Sequence, residues 1–181
     1  MQVVAGTARR ILLKTIPGEE TRPTSNRIKE TLFNILMPEI PGCRFLDLFA
    51  GSGGIGIEAL SRGASDAVFC DHSLDAAKVI NGNLKKLGEQ RMVYPYDYKT
   101  ALDMLKGKKE IFDIVFLDPP YKKKDAYQYA ISFLLDNEML AHDACIVLEY
   151  EGDIEVDVSP FEFQRTYRYG KTNVMLLRRH L

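Results

Sequence analysis

Apolar residues recur along this chain in short blocks, and the spacing within the blocks changes with position. Val3-Val4-Ala5, a Gly6-Thr7-Ala8 turn and Arg9 through Ile16, with Ile11 and Leu13 on one side and Arg10 and Lys14 on the other, predict a β-ribbon closed by Pro17-Gly18. Thr24 is placed to cap a helix carrying Ile28, Leu32, Ile35 and Leu36 at helical spacing, stopped by Pro38. From Arg44 the rhythm becomes strand, turn, helix, repeated. Strands are expected at 45–49, 67–71, 92–94, 111–117 and 144–148, with helices at 55–60, 74–87 and 100–105 and another containing Tyr127, Ile131 and Leu134. Strands alternating with helices imply a parallel sheet covered on both faces. Residues 161–169 and 173–177 face each other across Gly170-Lys171, which predicts an antiparallel hairpin at the sheet edge. Residues 1–42 thus read as an appendage and 43–181 as the main α/β domain.

The 181 residues are 46% hydrophobic and 27% charged, which excludes a disordered chain and suits one domain with a small addition. Cys43, Cys70 and Cys145 are odd in number, far apart and never in a Cys-x-x-Cys. That argues against a disulfide framework and a zinc site, and predicts a reducing, cytoplasmic setting with no metal. No apolar run approaches the roughly 18 residues of a membrane span, and no signal-peptide core is present, so a secreted or membrane-embedded protein is not expected. The formal net charge of −1 argues against a polyanionic partner until it is divided. Residues 1–44 carry seven basic and four acidic side chains, residues 45–162 carry 12 and 21, and residues 163–181 carry five and none. Two basic ends bracket an acidic middle.

The chemistry is expected at the carboxyl ends of the strands, where ligands bind in such sheets. The first strand runs into Ala50-Gly51-Ser52-Gly53-Gly54-Ile55-Gly56, a Gly-x-Gly-x-x-Gly turn, with Asp71 twenty residues on. Glycines let backbone N–H groups approach a ligand, and the later acid can accept from ribose hydroxyls. A nicotinamide enzyme would share this pattern. Asp47, immediately before the turn, disfavours a pyrophosphate and suits a cation, and Tyr96-Asp97 adds an acceptor for an adenine amine. A ligand with an ammonium, a sulfonium, a ribose and an adenine, and no phosphate, answers all three acids: S-adenosyl-L-methionine. Singly, each of Asp47, Asp71 and Asp97 serves equally well as a helix cap.

Leu117-Asp118-Pro119-Pro120-Tyr121 follows the fourth strand. Two prolines fix the backbone and remove two donors, which leaves an edge of acceptors suited to an exocyclic amine. Hydrogen bonds from that amine to Asp118 and the Pro119 carbonyl favour the nitrogen geometry for in-line attack on an electrophilic methyl. Tyr121 offers a face on which a flipped base can stack.

These residues resemble the class I S-adenosylmethionine-dependent methyltransferases. More closely, they resemble the RsmD family of 16S rRNA guanine-N2 methyltransferases, through Thr21-Arg22-Pro23-Thr24, Leu46 to Gly53, Glu58 to Ala64 and Phe116 to Tyr121. The resemblance implies a Rossmann-like, seven-stranded, mostly parallel sheet with an antiparallel last strand. It implies a cofactor site at Asp47, Phe49, Ala50, Gly51, Ser52, Gly53, Asp71, Tyr96 and Asp97, and a target amine at Asp118, Pro119, Pro120 and Tyr121. His72, beside Asp71, either lines the adenosine site or is a surface imidazole. Arg9-Arg10 departs from the family in lacking the glycine often found in that turn.

Guanine places N1–H beside its N2 amine, two adjacent donors that one carboxylate accepts together, and so it suits Asp118 better than adenine or cytosine. An adenine-N6 methylase and a protein-glutamine methylase remain as alternatives, as does a binding protein that keeps the fold without the chemistry. With only some 40 residues outside the main domain, the partner is expected to be structured 16S rRNA or an assembling small subunit, recognised by shape and phosphate contacts, with no obligate protein partner. The candidate contacts are Arg9, Arg10, Arg22, Arg27, Lys29 and Lys122 to Lys124, each of which alone is equally a solvated surface residue.

Overall fold

A computed structural model describes residues 1–16 and 26–180. Its elements in chain order are α1 (Asn26–Ile35), β1 (Arg44–Asp47), α2 (Gly54–Ser61), β2 (Asp66–Cys70), α3 (Leu74–Lys86), β3 (Val93–Tyr94), α4 (Tyr98–Gly107), β4 (Phe112–Leu117), α5 (Asp125–Asp136), β5 (Leu140–Glu151), β6 (Phe163–Tyr169) and β7 (Thr172–Arg178). They build one seven-stranded sheet of order β3-β2-β1-β4-β5-β7-β6. The strands β1 to β5 pair in parallel, whereas β7 inserts antiparallel between β5 and β6. The last strand is therefore reversed, as expected, and β3 and β6 are the two edges of the sheet. The proposed cap Thr24, with Pro17-Gly18 and Thr21-Arg22-Pro23, lies outside the described residues.

Alternation along the strands explains the two layers of helices. Phe45, Phe69, Phe116 and Val147 point to the face covered by α1, α2 and α3, while their neighbours Leu46, Val68, Val115 and Ile146 point to the face covered by α4 and α5. A continuous apolar run such as Ile114 to Leu117 thus serves both faces at once. Each fully buried side chain of this kind contributes roughly 1.5–3 kcal/mol. The cluster on the first face also contains Val3, Ala8, Leu13, Ile28, Leu32 and Phe33, so the residues before 43 pack into the same core as the sheet.

The N-terminal ribbon is shorter than expected. It is reduced to one bridge, Gln2 with Leu12. Val3 donates to the Ile11 carbonyl (3.0 Å) and accepts from the Arg10 N–H (2.9 Å), so two residues face one in a bulge, with Arg10 at φ 72°. The turn finds its partners on α2 instead. Val4 and Ala5 N–H groups donate to the two Glu58 oxygens (2.8 and 3.0 Å), and Ala8 N–H donates to Ser61 Oγ (2.9 Å). Gly6 permits this approach, since a Cβ there would lie 1.8 Å from the Ser61 carbonyl oxygen.

Candidate active site

The carboxyl ends of β1, β2 and β4 open into a cleft of about 920 Å³. It is lined by Asp47, Phe49, Ala50, Gly51, Ser52, Asp71, His72 and Asp97 on one side and by Asp118, Pro119, Pro120 and Tyr121 on the other. Residues far apart in the chain meet there because parallel strands all end on the same side. Tyr96 is exposed and does not line the cleft, and Gly53 lies behind it, at φ 81°, as the turn into α2. At Gly56 a Cβ would meet the Phe69 ring at 2.4 Å, so the last glycine of the motif serves helix–sheet packing.

Asp47 is sealed from solvent, and its carboxylate accepts from the Gly56 N–H (3.0 Å) at the start of α2, which has no side-chain cap. Burial pushes its pKa up to about 7, against the pull of the Gly56 hydrogen bond and with help from Asp71. Asp71 accepts from the Gly51 N–H (2.9 Å) and the Ser73 N–H (3.0 Å), so it braces the glycine turn while one side of its carboxylate faces the cleft. His72 is two-thirds exposed, with Nδ1 3.4 Å from Asp71. Asp97 is a helix cap, accepting from Lys99 N–H, Thr100 N–H and Thr100 Oγ1 (3.0, 3.3 and 2.6 Å). These hydrogen bonds, that of the Thr100 hydroxyl foremost, hold it below the usual carboxylate range.

Asp118 is half-buried at the end of β4. Burial, then Glu149, Asp47 and Glu151, raises its pKa well above that of an ordinary carboxyl. Pro119 is buried, and the Pro120 carbonyl accepts from Lys123 N–H (2.7 Å), which turns the chain and leaves Tyr121 72% exposed. Lys124 Nζ sits 5.3 Å from the Tyr121 ring centroid and donates to the Asp153 carbonyl (2.6 Å). This interior suits a cation: a positive group beside Asp47 would offset the burial that raises its pKa, whereas a phosphate there would face acids. The donor set fits the ammonium, sulfonium and ribose of S-adenosyl-L-methionine. Among the described residues no three or more His, Cys, Asp and Glu are grouped to hold a metal ion, and no helix is long and apolar enough to cross a membrane.

The expected RNA-facing residues divide. Arg9, Arg10, Arg27 and Lys122 are exposed, Arg27, Lys29, Lys123 and Lys124 border the cleft, and Arg22 lies outside the described residues. Lys29 is a correction. It is 1% exposed, donates to the Gln2 carbonyl (2.7 Å), and lies 3.3 Å from Glu58. Its ammonium is an internal counter-ion because α1 turns that position toward α2, and burial lowers its pKa. Sequence reasoning assigned no role to Glu58, Glu149 or Arg168. Glu58 stands in an otherwise apolar helix, Ile55 to Leu60, where a lone acid signals a buried partner; Glu149 lies one residue beyond the expected end of its strand.

The family described as conserved hypothetical protein 95 matches residues 1–178. Ribosomal RNA small subunit methyltransferase D of Haemophilus influenzae is 42% identical over 158 residues, covering 84% of this chain and 80% of that protein. The protein of the same name from Escherichia coli K12 is 36% identical over 153 residues, 83% and 75% of the two chains. Among solved structures, the Escherichia coli protein yhhF superposes with a TM-score of 0.86 at 30% identity, covering 99% of this chain and 98% of its own. A Thermus thermophilus 16S rRNA N2 G1207 methyltransferase, solved with AdoMet and guanosine, matches with a TM-score of 0.68 at 21% identity over 90% of this chain and 44% of its own, a likeness of fold.

Proposed function

The chain belongs to the conserved hypothetical protein 95 family, that of the RsmD-type rRNA methyltransferases, and on that premise we propose that it methylates the exocyclic N2 amine of a guanine in 16S rRNA. S-adenosyl-L-methionine is the methyl donor. The coarser statement, an S-adenosylmethionine-dependent methyltransferase of rRNA, follows from the family and its named relatives. The observation that carries the finer one is Asp118, a half-buried carboxylate beside a proline-fixed loop at the mouth of an acid-lined cleft.

In this reading Asp47, Asp71 and the turn from Phe49 to Ser52 hold the donor, with His72 and Asp97 flanking its adenosine. When bound, the donor supplies an electrophilic sulfonium methyl whose sulfur departs as a thioether. Asp118 accepts from guanine N1–H and N2–H together, and the Pro119 carbonyl accepts the second N2–H, so the nitrogen lone pair is aimed along the attack line. The nitrogen would shed one proton as the methyl arrives, and Asp118, hydrogen-bonded to it in this reading and with its pKa raised by burial, would receive it. Tyr121, exposed at the rim, stacks on the extruded base. No nucleophilic Cys or Ser is needed, and the three cysteines are buried. Arg9, Arg10, Arg27 and Lys122, with Arg22, contact phosphates from the N-terminal piece of residues 1–42 and the loop after Pro120.

The experiment is methylation of naked 16S rRNA and of assembled small subunits with isotopically labelled donor, followed by identification of the modified nucleoside. N2-methylguanosine is the expected product. N6-methyladenosine, or label in a protein glutamine, would replace this reading with the corresponding alternative.

A further inference from the structure

A cavity of about 540 Å³ adjoins the cleft and shares Tyr121, Tyr150, Glu151, Ile154, Arg168 and Gly170 with it. Its volume lies within the roughly 300–1,000 Å³ typical of small-ligand sites. Three of its lining residues form a row across the sheet. Tyr150 on β5 is the register partner of Asn173 on β7, and Asn173 is the partner of Arg168 on β6. Residues opposite one another in neighbouring strands project from the same face, so an aromatic ring, an amide and a guanidinium stand side by side. Asn173 Nδ2 also donates to the Gly152 carbonyl (3.3 Å), which fixes the loop forming the adjacent wall.

The five basic residues of the C-terminal hairpin are not used alike. Arg178 is held by Glu39 (2.7 Å) and Arg179 by the Leu140 carbonyl (3.3 Å), at the opposite end of β7. Arg168 and Lys171 are exposed and line this cavity. We infer that the cavity is a second nucleotide site, which takes the residue of the RNA strand adjacent to the target, its base on Tyr150 and Asn173 and its phosphate on Arg168 and Lys171. The acidic Asp153 also lines the cavity and keeps the phosphate to the basic side. Two bases on two tyrosines explain how a strand stays splayed open while only one base reaches the donor. The inference rests on the reading that RNA is the substrate, and does not depend on which base is methylated.

The test uses a synthetic RNA spanning the methylated nucleotide, in which each neighbour is replaced in turn by an abasic residue. With the wild-type protein, one neighbour's replacement is expected to raise KM at least about fivefold, the scale of one base–aromatic stack. Lys171 and Asn173 line only this cavity, so K171E is expected to raise the KM of the intact RNA and keep the full further loss on abasic replacement, which leaves the phosphate in place, whereas N173A is expected to raise it and show a smaller further loss. Donor binding by calorimetry is expected to stay at the wild-type value and reports that both variants are folded. A modified base other than guanine, with this pattern intact, would fail the base assignment and support the site. N2-methylguanosine formed with every neighbour replaceable at no cost would overturn the site. Failure to methylate 16S rRNA both naked and in assembled small subunits would overturn both.

Discussion

Lys29 Nζ lies 3.3 Å from the Glu58 carboxylate, with both side chains 1% exposed or less, and the same carboxylate receives the backbone N–H groups of Val4 and Ala5 and the Arg62 Nε. One buried acid on α2 therefore fastens the ribbon and α1 to the helix that begins at the donor loop. After removal of Lys29 the Glu58 carboxylate keeps Arg62 and two backbone N–H groups, and the Gln2 carbonyl is left without its donor. Lys29→Met is expected to lower stability by about 1–3 kcal/mol in denaturant titration. It is also expected to leave the salt dependence of RNA binding unchanged, since its ammonium is not available to phosphate. A reduced salt slope with unchanged stability would return Lys29 to the RNA-facing set.

Arg9, Arg10 and Arg27 are expected to behave in the opposite way. Each is exposed, so replacement by Ala should cost little stability. Removing one cation that pairs with a phosphate should flatten the plot of log affinity for rRNA against log salt by about 0.7–0.9. Donor affinity, set by carboxylates inside the cleft, should respond to salt much less. Equal salt slopes for RNA and donor would contradict that division of the molecule.

Much of the fold was legible because its signals are local. The alternation of apolar strands with amphipathic helices, the glycine turn after Asp47 and the proline pair after Asp118 lie where the sequence puts them. What was not legible depends on partners distant in the chain. The ribbon pairs at a single bridge because its donors go to Glu58 and Ser61, more than 50 residues away. Lys29 reads as a surface cation until its spacing is weighed: it precedes Leu32 and Phe33 by three and four residues, on the apolar stripe of α1. Asp97 caps α4 while also lining the cleft, so the cap and the candidate adenine acceptor are one residue. Glu149 acts on Asp118 only because β5 runs on past Leu148 beside β4.

Asn83 is fully buried and binds Lys14 in both directions, accepting from its N–H (2.8 Å) and donating to its carbonyl (3.0 Å), while also donating to the Ser52 carbonyl (3.0 Å). It joins the ribbon to the donor loop through one amide. Asn83→Leu would strand these groups, at about 1–3 kcal/mol for each buried group left unsatisfied. Hydrogen exchange is expected to quicken together at residues 11–16 and 51–53 and to stay unchanged in β4 and α5. Faster exchange at only one of the two segments would show that Asn83 does not couple them.

Asp47 carries a proton in the free protein below about pH 7. A cationic donor selects the ionised form, so binding releases that proton at lower pH. Affinity for S-adenosyl-L-methionine is expected to rise by up to about tenfold per pH unit as pH climbs toward 7 and to level off above it. Calorimetry in buffers of different ionisation enthalpy should detect the released proton at pH 6 and little at pH 8. Asp47→Asn should bind more weakly with a flat profile, and a wild-type profile that is flat across this range would remove Asp47 from the donor site.

Asp118 is assigned to orient the amine and not to hold the donor, and the rest of the mechanism depends on that assignment. The direct measurement is single-turnover methyl transfer to 16S rRNA by Asp118→Ala, with donor affinity determined on the same preparation by calorimetry. Donor binding close to wild type with transfer reduced by at least about a hundredfold is the predicted result. Transfer at the wild-type rate, or a loss explained wholly by failure to bind the donor, would contradict it.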